Sequence, residues 1–384
     1  MSLLANRLET ETGAECVPEA SARQEGDDRG AWMRMESATL RAPQGRQSDS
    51  PRRKPRRTPW ERSKPLGQPQ RGDTQAPAVC LSLRRRTRRW PLVFTLLVTA
   101  CIPAFPTKDE FAKAGQTALD WTRRAVELGP RPPGSEAHGK LQRLITDELR
   151  NLKAVVAEEK FTAQTPRGPV AMNNIIGKFA GRSGRIVVVS GHYDTYHRPG
   201  MHFVGANDAG SSTGFLLALG ALLGSGQLDD EVWLVFFDGE ESFVRWDSND
   251  HTYGSRYLAG RWREDGTAAK IKALINVDMI GDADLSLVYD QNSTPWLRDL
   301  IWKTAHRLGY GKQFPWQPAG AIDDDHVPFV AAGYSAVDLI DLQYGLFNRY
   351  WHTDEDTLEK LSASSFAAVL HVVAESLREL GQAP

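Results

Sequence analysis

The chain has 384 residues, enough for one large or two ordinary domains, and its 47 lysines and arginines are balanced by 48 aspartates and glutamates. That balance leaves no overall electrostatic signature of a nucleic-acid binder. The three cysteines, Cys16, Cys80 and Cys101, all lie at or before residue 101, which excludes a disulfide, a thiolate nucleophile and a cysteine zinc site from everything that follows.

The opening segment is unlike the rest. Residues 1–83 are rich in Pro, Gln, Ser and Arg and poor in aliphatic side chains, with a basic run at Pro51 to Arg57, and read as a disordered Arg/Pro-rich extension. The run lacks interleaved aromatics, so a nucleic-acid-binding arm is the weaker reading. In residues 84–106, Arg84 to Arg89 (RRRTRR) leads into the apolar run Trp90 to Ala100 (WPLVFTLLVTA) and small residues follow. This is the pattern of an export signal, and the run is short for a transmembrane helix. Val98-Thr99-Ala100-Cys101 also resembles a bacterial lipoprotein processing box, which would make Cys101 the lipidated first residue of the mature protein; an uncleaved membrane anchor is the alternative. The expected location is therefore periplasmic or extracellular, with membrane contact only through a Cys101 lipid or Trp90 to Ala100. A signal this deep in the chain also implies a translation start nearer Arg84 than Met1.

Residues 107–384 are expected to form a single α/β catalytic domain, large enough to manage without disulfides. Glu110 to Leu128 and Ser135 to Leu152 read as amphipathic helices packing on the sheet, separated by a Pro/Gly loop at 129–134. Val155 to Ala163 and Val170 to Phe179 read as strands of a hairpin. Ile186 to Ser190 is a buried strand, Gly210 to Leu223 an apolar helix, and Val232 to Phe237 a strand with no polar alternation, as expected where both faces are covered. Ala273 to Met279 and Ala336 to Ile340 are further strands, and Pro295 to Leu308 and Ser362 to Leu380 helices. The alternation predicts a three-layer architecture, a mostly parallel mixed central sheet with helices on both faces.

The chemistry gathers where such strands end. The strand at 232–237 breaks at Asp238-Gly239-Glu240-Glu241, and adjacent carboxylates in a partly dry site both stay ionised only beside a cation. His192, Asp208, Glu240, Glu241, Asp278 and His352 each follow a predicted strand, on loops that converge in an open α/β sheet. A lone histidine after a strand is more often structural, but this joint set of imidazoles and carboxylates suits one zinc ion, or two. Asp194, two residues after His192, is placed to fix that imidazole's tautomer. Gly210-Ser211-Ser212-Thr213-Gly214 matches a serine nucleophile elbow, but a loop rather than a strand precedes it; no dinucleotide motif follows a strand either.

His192-Tyr193-Asp194, Gly205 to Asp208, Phe237 to Glu241, Asp278 and Trp351-His352-Thr353 together resemble the zinc exopeptidase superfamily of aminopeptidases and glutaminyl cyclases. Trp246, Thr252 to Ala259 and Asp324 to Phe329 resemble its glutaminyl-peptide cyclotransferase branch. The resemblance implies Asp208, Glu241 and His352 as ligands of one zinc and Glu240 as general acid/base. It implies Asp278 and Asp324 as a hydrogen-bonded acidic pair beside it, and Trp246, Trp351, Phe347 and His326 around the substrate pocket. Asp323 stands where the cyclases usually have glutamine, Asn207 where the animal enzymes have threonine, and the animal cysteine pair is missing. The implied reaction converts the N-terminal glutamine of peptides or proteins to pyroglutamate with loss of ammonia. The alternatives are an aminopeptidase, with a second zinc at His192 and Asp278, and a relative that binds without catalysis.

Overall fold

The computed structural model describes residues 105–384 except 225–227, 248, 319, 383 and 384. The extension, the Trp90 to Ala100 run and Cys101 lie outside the described residues. The described chain runs α1 (Lys108–Val126), α2 (Glu136–Asn151), β1 (Val155–Thr165), β2 (Gly168–Phe179), β3 (Ile186–His192), α3 (Gly210–Leu223) and β4 (Glu231–Phe237). It continues through α4 (Tyr253–Glu264), β5 (Ile271–Asp278), α5 (Pro295–Leu308), α6 (His326–Ala331), β6 (Ala336–Ile340) and α7 (Ala363–Gln382). Among these residues no helix is long and apolar enough to cross a membrane.

All six strands belong to one sheet in the order β1-β2-β4-β3-β5-β6. β4, β3, β5 and β6 are parallel, and the β1–β2 hairpin is added antiparallel at the β4 edge. Strands buried on both faces read as unbroken apolar runs, and here successive residues serve different cores. Val232, Leu234 and Phe236 of β4 join Val187 and Val189 of β3 beneath α1, α2, α3, α5 and α7. Trp233, Val235 and Phe237 join Val188 on the other face, beneath Leu258, Ala259 and Trp262 of α4 and Phe329 of α6. The chain leaves β3 for β4 on one side and then crosses to β5 on the other. Loops at the carboxyl ends of β3 and β5 therefore diverge and open a crevice there.

Expected boundaries hold to within a few residues, and the departures have local causes. α1 starts two residues early because Thr107 caps it: its hydroxyl accepts the Glu110 amide at 3.4 Å while the Glu110 carboxylate accepts the Thr107 amide at 2.6 Å. Ser135 is likewise the cap of α2 rather than its first residue. Two helices are not among the expected elements. α6 is six residues long with a proline in its first turn, and α4 begins Tyr253-Gly254 at a glycine pressed against the Asp238 backbone.

The α1–α3 crossing depends on the absence of a side chain at Gly214. A Cβ there would lie 2.2 Å from Thr122 Oγ1 and 2.3 Å from the Ala118 carbonyl oxygen. Gly214→Ala is expected to lower the unfolding free energy by about 1–3 kcal/mol through overpacking. Gly260→Ala, on an exposed stretch of α4 with open space around it, is expected to raise it by about 0.5–1 kcal/mol. Urea unfolding of the two variants checks both signs.

Candidate metal and catalytic site

His192 and Asp278 end β3 and β5, Asp208 precedes α3, Glu240 and Glu241 follow β4, Asp324 precedes α6, and His352 lies between β6 and α7. The fold brings all seven together, each buried except His352, which is nearly so. His352 Nε2 is 3.3 Å from Asp208 Oδ2 and 3.2 Å from Glu241 Oε1. Those separations match the edge of about 3.3 Å expected for a tetrahedral ion with ligand bonds of about 2.0–2.1 Å. Among the described residues Glu241 Oε2 has no hydrogen-bond donor, although it is buried. A second donor group shares Asp208: His192 Nε2 is 3.1 Å from Asp208 Oδ1 and 3.2 Å from Asp278 Oδ1. The residues present therefore fit zinc, and the donor set of imidazole and carboxylate is that of a catalytic rather than a structural site.

The electrostatics point the same way. Burial pushes Glu241 and Asp278 up to about 7, opposed by His352 in the first case and by His192 in the second. Burial also raises Glu240 well above the usual carboxylate range; His192 opposes it and Glu241 and Asp324 add to it. Burial alone disfavours a charged His192, but Glu240, Asp194, Asp208 and Asp278 surround the ring and raise it well above the usual imidazole range. So dense a set of dry carboxylates calls for a cation.

Each reactive loop is tied by a residue that the motif reading passed over. The fully buried Arg131 guanidinium donates to the carbonyls of Val204 at 2.8 Å and Gly205 at 3.0 Å, under the Asp208 loop. Burial lowers it to about 10, against the raising influence of Asp356, Asp194 and Asp208, so it stays charged at neutral pH. Gly205 has φ +50, and a Cβ there would meet the Asp208 carbonyl oxygen at 1.9 Å, so the turn requires glycine. The Asp356 carboxylate accepts the amides of Asn207 at 2.8 Å and Asp208 at 3.1 Å and the Tyr344 hydroxyl at 2.7 Å. Asp250 accepts the amides of Phe243, Val244 and Arg245 and fixes the turn that carries Trp246. His352 itself has φ +52, held there while Tyr196 and Trp351 stack on its ring. Asp356 lies four residues beyond His352, a spacing that marks it in sequence only once the loop is known to fold back.

Asp194 lies against His192 Nδ1 at 3.5 Å, and it also accepts the amides of Glu240 at 3.1 Å and Glu241 at 3.3 Å, which positions that backbone. Asp278 and Asp324 line one cavity, where Asp278 is 3.2 Å from His192 Nε2 and an Asp324 oxygen accepts the Asp325 amide. Asp238 faces away from the site, accepting from Asn173 and Tyr193 and pairing with His138 of α2 at 2.9 Å. His326 does not wall the pocket. It is fully buried behind it, 3.1 Å from Asp290 and 3.7 Å from Asp338. Phe347 is 86% exposed and outside the lining, since its loop turns outward through positive φ at Phe347 and Asn348. Trp246 and Trp351 do line the cavity, with Ile340, Leu342 and Asp323. Trp246 stacks on His251, whose Nε2 is 3.6 Å from Asp323.

If Asp356 holds the ligand loop in register, Asp356→Ala is expected to weaken zinc binding roughly 10–100-fold, the range for partners that orient ligands. Competition with a chromogenic chelator checks this, with Tyr344→Phe giving a smaller loss in the same direction.

The comparisons with known proteins agree with this geometry. Residues 174–377 match Peptidase family M28. A glutaminyl-peptide cyclotransferase from Boiga irregularis is 31% identical over 296 residues, covering 67% of this chain and 79% of that protein. The crystal structure of an Acidobacteriales bacterium glutaminyl cyclase superposes with a TM-score of 0.69 at 37% identity, covering 73% of this chain and 98% of that one. A Zn-dependent exopeptidase from Parabacteroides distasonis superposes at 0.63 with 25% identity, covering 71% of this chain and 99% of that one. With its buried Asp208, Glu241 and His352 at the ends of a parallel sheet, the chain belongs to Peptidase family M28 and, within it, to the glutaminyl-peptide cyclotransferases.

Proposed function

We propose that this protein is a zinc-dependent glutaminyl-peptide cyclotransferase, an acyltransferase that closes the N-terminal glutamine of peptides or proteins to pyroglutamate and releases ammonia. The observation that carries the reading is that all of one donor group, Asp208, Glu241 and His352, faces the cavity that Glu240, Asp278, Asp324, Trp246 and Trp351 also line, while His192 of the second group lies outside its lining. That arrangement supports one zinc ion per chain. The names of the relatives support the same substrate class.

Zinc held by Asp208, Glu241 and His352 would supply Lewis-acid polarisation of the γ-carboxamide. The protein's own groups do the rest. The aromatic walls of Trp246 and Trp351 exclude water and hold the glutamine chain folded, so that its α-nitrogen reaches the γ-carbonyl carbon. Glu240 takes the proton from that nitrogen as the new C–N bond forms, and returns it to the departing amide nitrogen as the old C–N bond breaks and ammonia leaves. Asp194 keeps Glu240 in place through its backbone amide. A peptidase would use the same carboxylate to activate water against the first peptide bond, with a second ion at the His192 and Asp278 group, of which His192 lies outside the cavity lining. Export through residues 84–106 is the proposed route to an extracytoplasmic substrate.

Incubation of the full chain with a glutamine-initiated and a leucine-initiated peptide tests the reading by product mass. The expected result is loss of one ammonia from the former alone, abolished by a chelator and reduced by about 100-fold or more in Glu240→Gln. Release of free leucine, with two zinc ions per chain, would establish the aminopeptidase instead. A chain that retains no zinc would mark a non-catalytic relative.

A further inference from the structure

Beside the acidic cavity lies a larger one of about 320 Å³, and Glu241 lines both. The acidic cavity is much the smaller of the two. A peptide that presents its first residue there must continue elsewhere. The larger cavity has apolar walls from Pro132 and Pro133, between α1 and α2, and from Phe243 after β4. Its cationic group is Arg167 in the β1–β2 turn, and His197 in the β3–α3 loop adds an imidazole. Among the described residues neither side chain has a hydrogen-bond or ion-pair partner; Arg167 is tied only through its backbone amide, to Thr165 Oγ1 at 3.1 Å. The one carboxylate in the lining, Glu241, is turned to His352 at 3.2 Å. The cavity thus offers unneutralised positive charge against an apolar wall, next to the reaction site.

We infer that this cavity receives the residues that follow the N-terminal glutamine and selects an acidic side chain at the second or third position. The inference rests on the cyclotransferase reading for its substrate, and on the cavity's own residues for its charge preference. Arg167, on an exposed turn, can extend to a carboxylate in the cavity, and exposure limits the gain to that of a surface ion pair.

The test uses the zinc-loaded full chain and fluorescently labelled glutamine-initiated peptides that differ only in Glu or Lys at position two or three. Equilibrium binding is read by anisotropy and turnover by ammonia release. The Glu peptides are expected to bind roughly three- to tenfold more tightly than the Lys peptides. Arg167→Glu is expected to reverse that order, Arg167→Lys to keep it, and His197→Glu to weaken it. Equal affinity of the wild-type chain for both peptides, or a preference that survives Arg167→Glu, overturns the inference. Glutamine amide, which has no following residue, reports on the reaction separately. Its failure to release ammonia while the charge preference persists would refute the cyclotransferase reading and leave the cavity's role standing.

Discussion

One electrostatic constraint governs the functional end of this protein: Asp208, Glu240, Glu241, Asp278, Asp324 and Asp325 are all buried at the carboxyl ends of one sheet. Removing a carboxylate from water costs several kcal/mol after relaxation, and packing several together adds mutual repulsion. The nearby protein cations are His192, His352 and Arg131, and they are fewer than the carboxylates they face. A divalent ion at the Asp208, Glu241 and His352 group supplies the missing positive charge where the donors already have tetrahedral spacing.

The surrounding structure is organised to hold that repulsive set in place. Carboxylates at the next layer out bind backbone amides instead of facing the ion: Asp194 holds Glu240 and Glu241, Asp356 holds Asn207 and Asp208, and Asp250 holds the turn before Trp246. Fixing the backbone fixes the reactive side chains without adding charge to the cavity, and each of these acids satisfies its own buried oxygens in doing so. Arg131 closes the arrangement from below by binding loop carbonyls.

The same acid, Glu240, would serve either a cyclase or a peptidase, so the identity of the base does not choose the reaction. The choice follows from which nucleophile the walls admit. Trp246 and Trp351 leave a narrow, aromatic-sided space suited to a folded side chain attacked by its own amine, and of the second donor group, Asp208 and Asp278 line that space while His192 lies outside its lining. The cavity across Glu241 then becomes the natural path for the rest of a peptide.

Much of this was legible in the chain itself. Apolar runs such as Val232 to Phe237 are decided by local burial on both faces, and the acids that end them are fixed in place by strand direction, so the α/β class and the convergence of Asp208, Glu241 and His352 could be read from pattern and resemblance. The loops were different. His326 and Phe347 sit in segments whose path depends on contacts far away in sequence: His326 is drawn into the interior by Asp290 and Asp338, and Phe347 turns to solvent through left-handed backbone. Arg131 and Asp356 were invisible for the same reason, since their partners, the carbonyls of Val204 and Gly205 and the amides of Asn207 and Asp208, are backbone groups that carry no side-chain signature. Sequence alone determined which groups can bind a metal and move a proton, because those are properties of side chains. Only the tertiary structure decided which of them face the cavity, because that depends on where distant backbone amides and carbonyls find their partners.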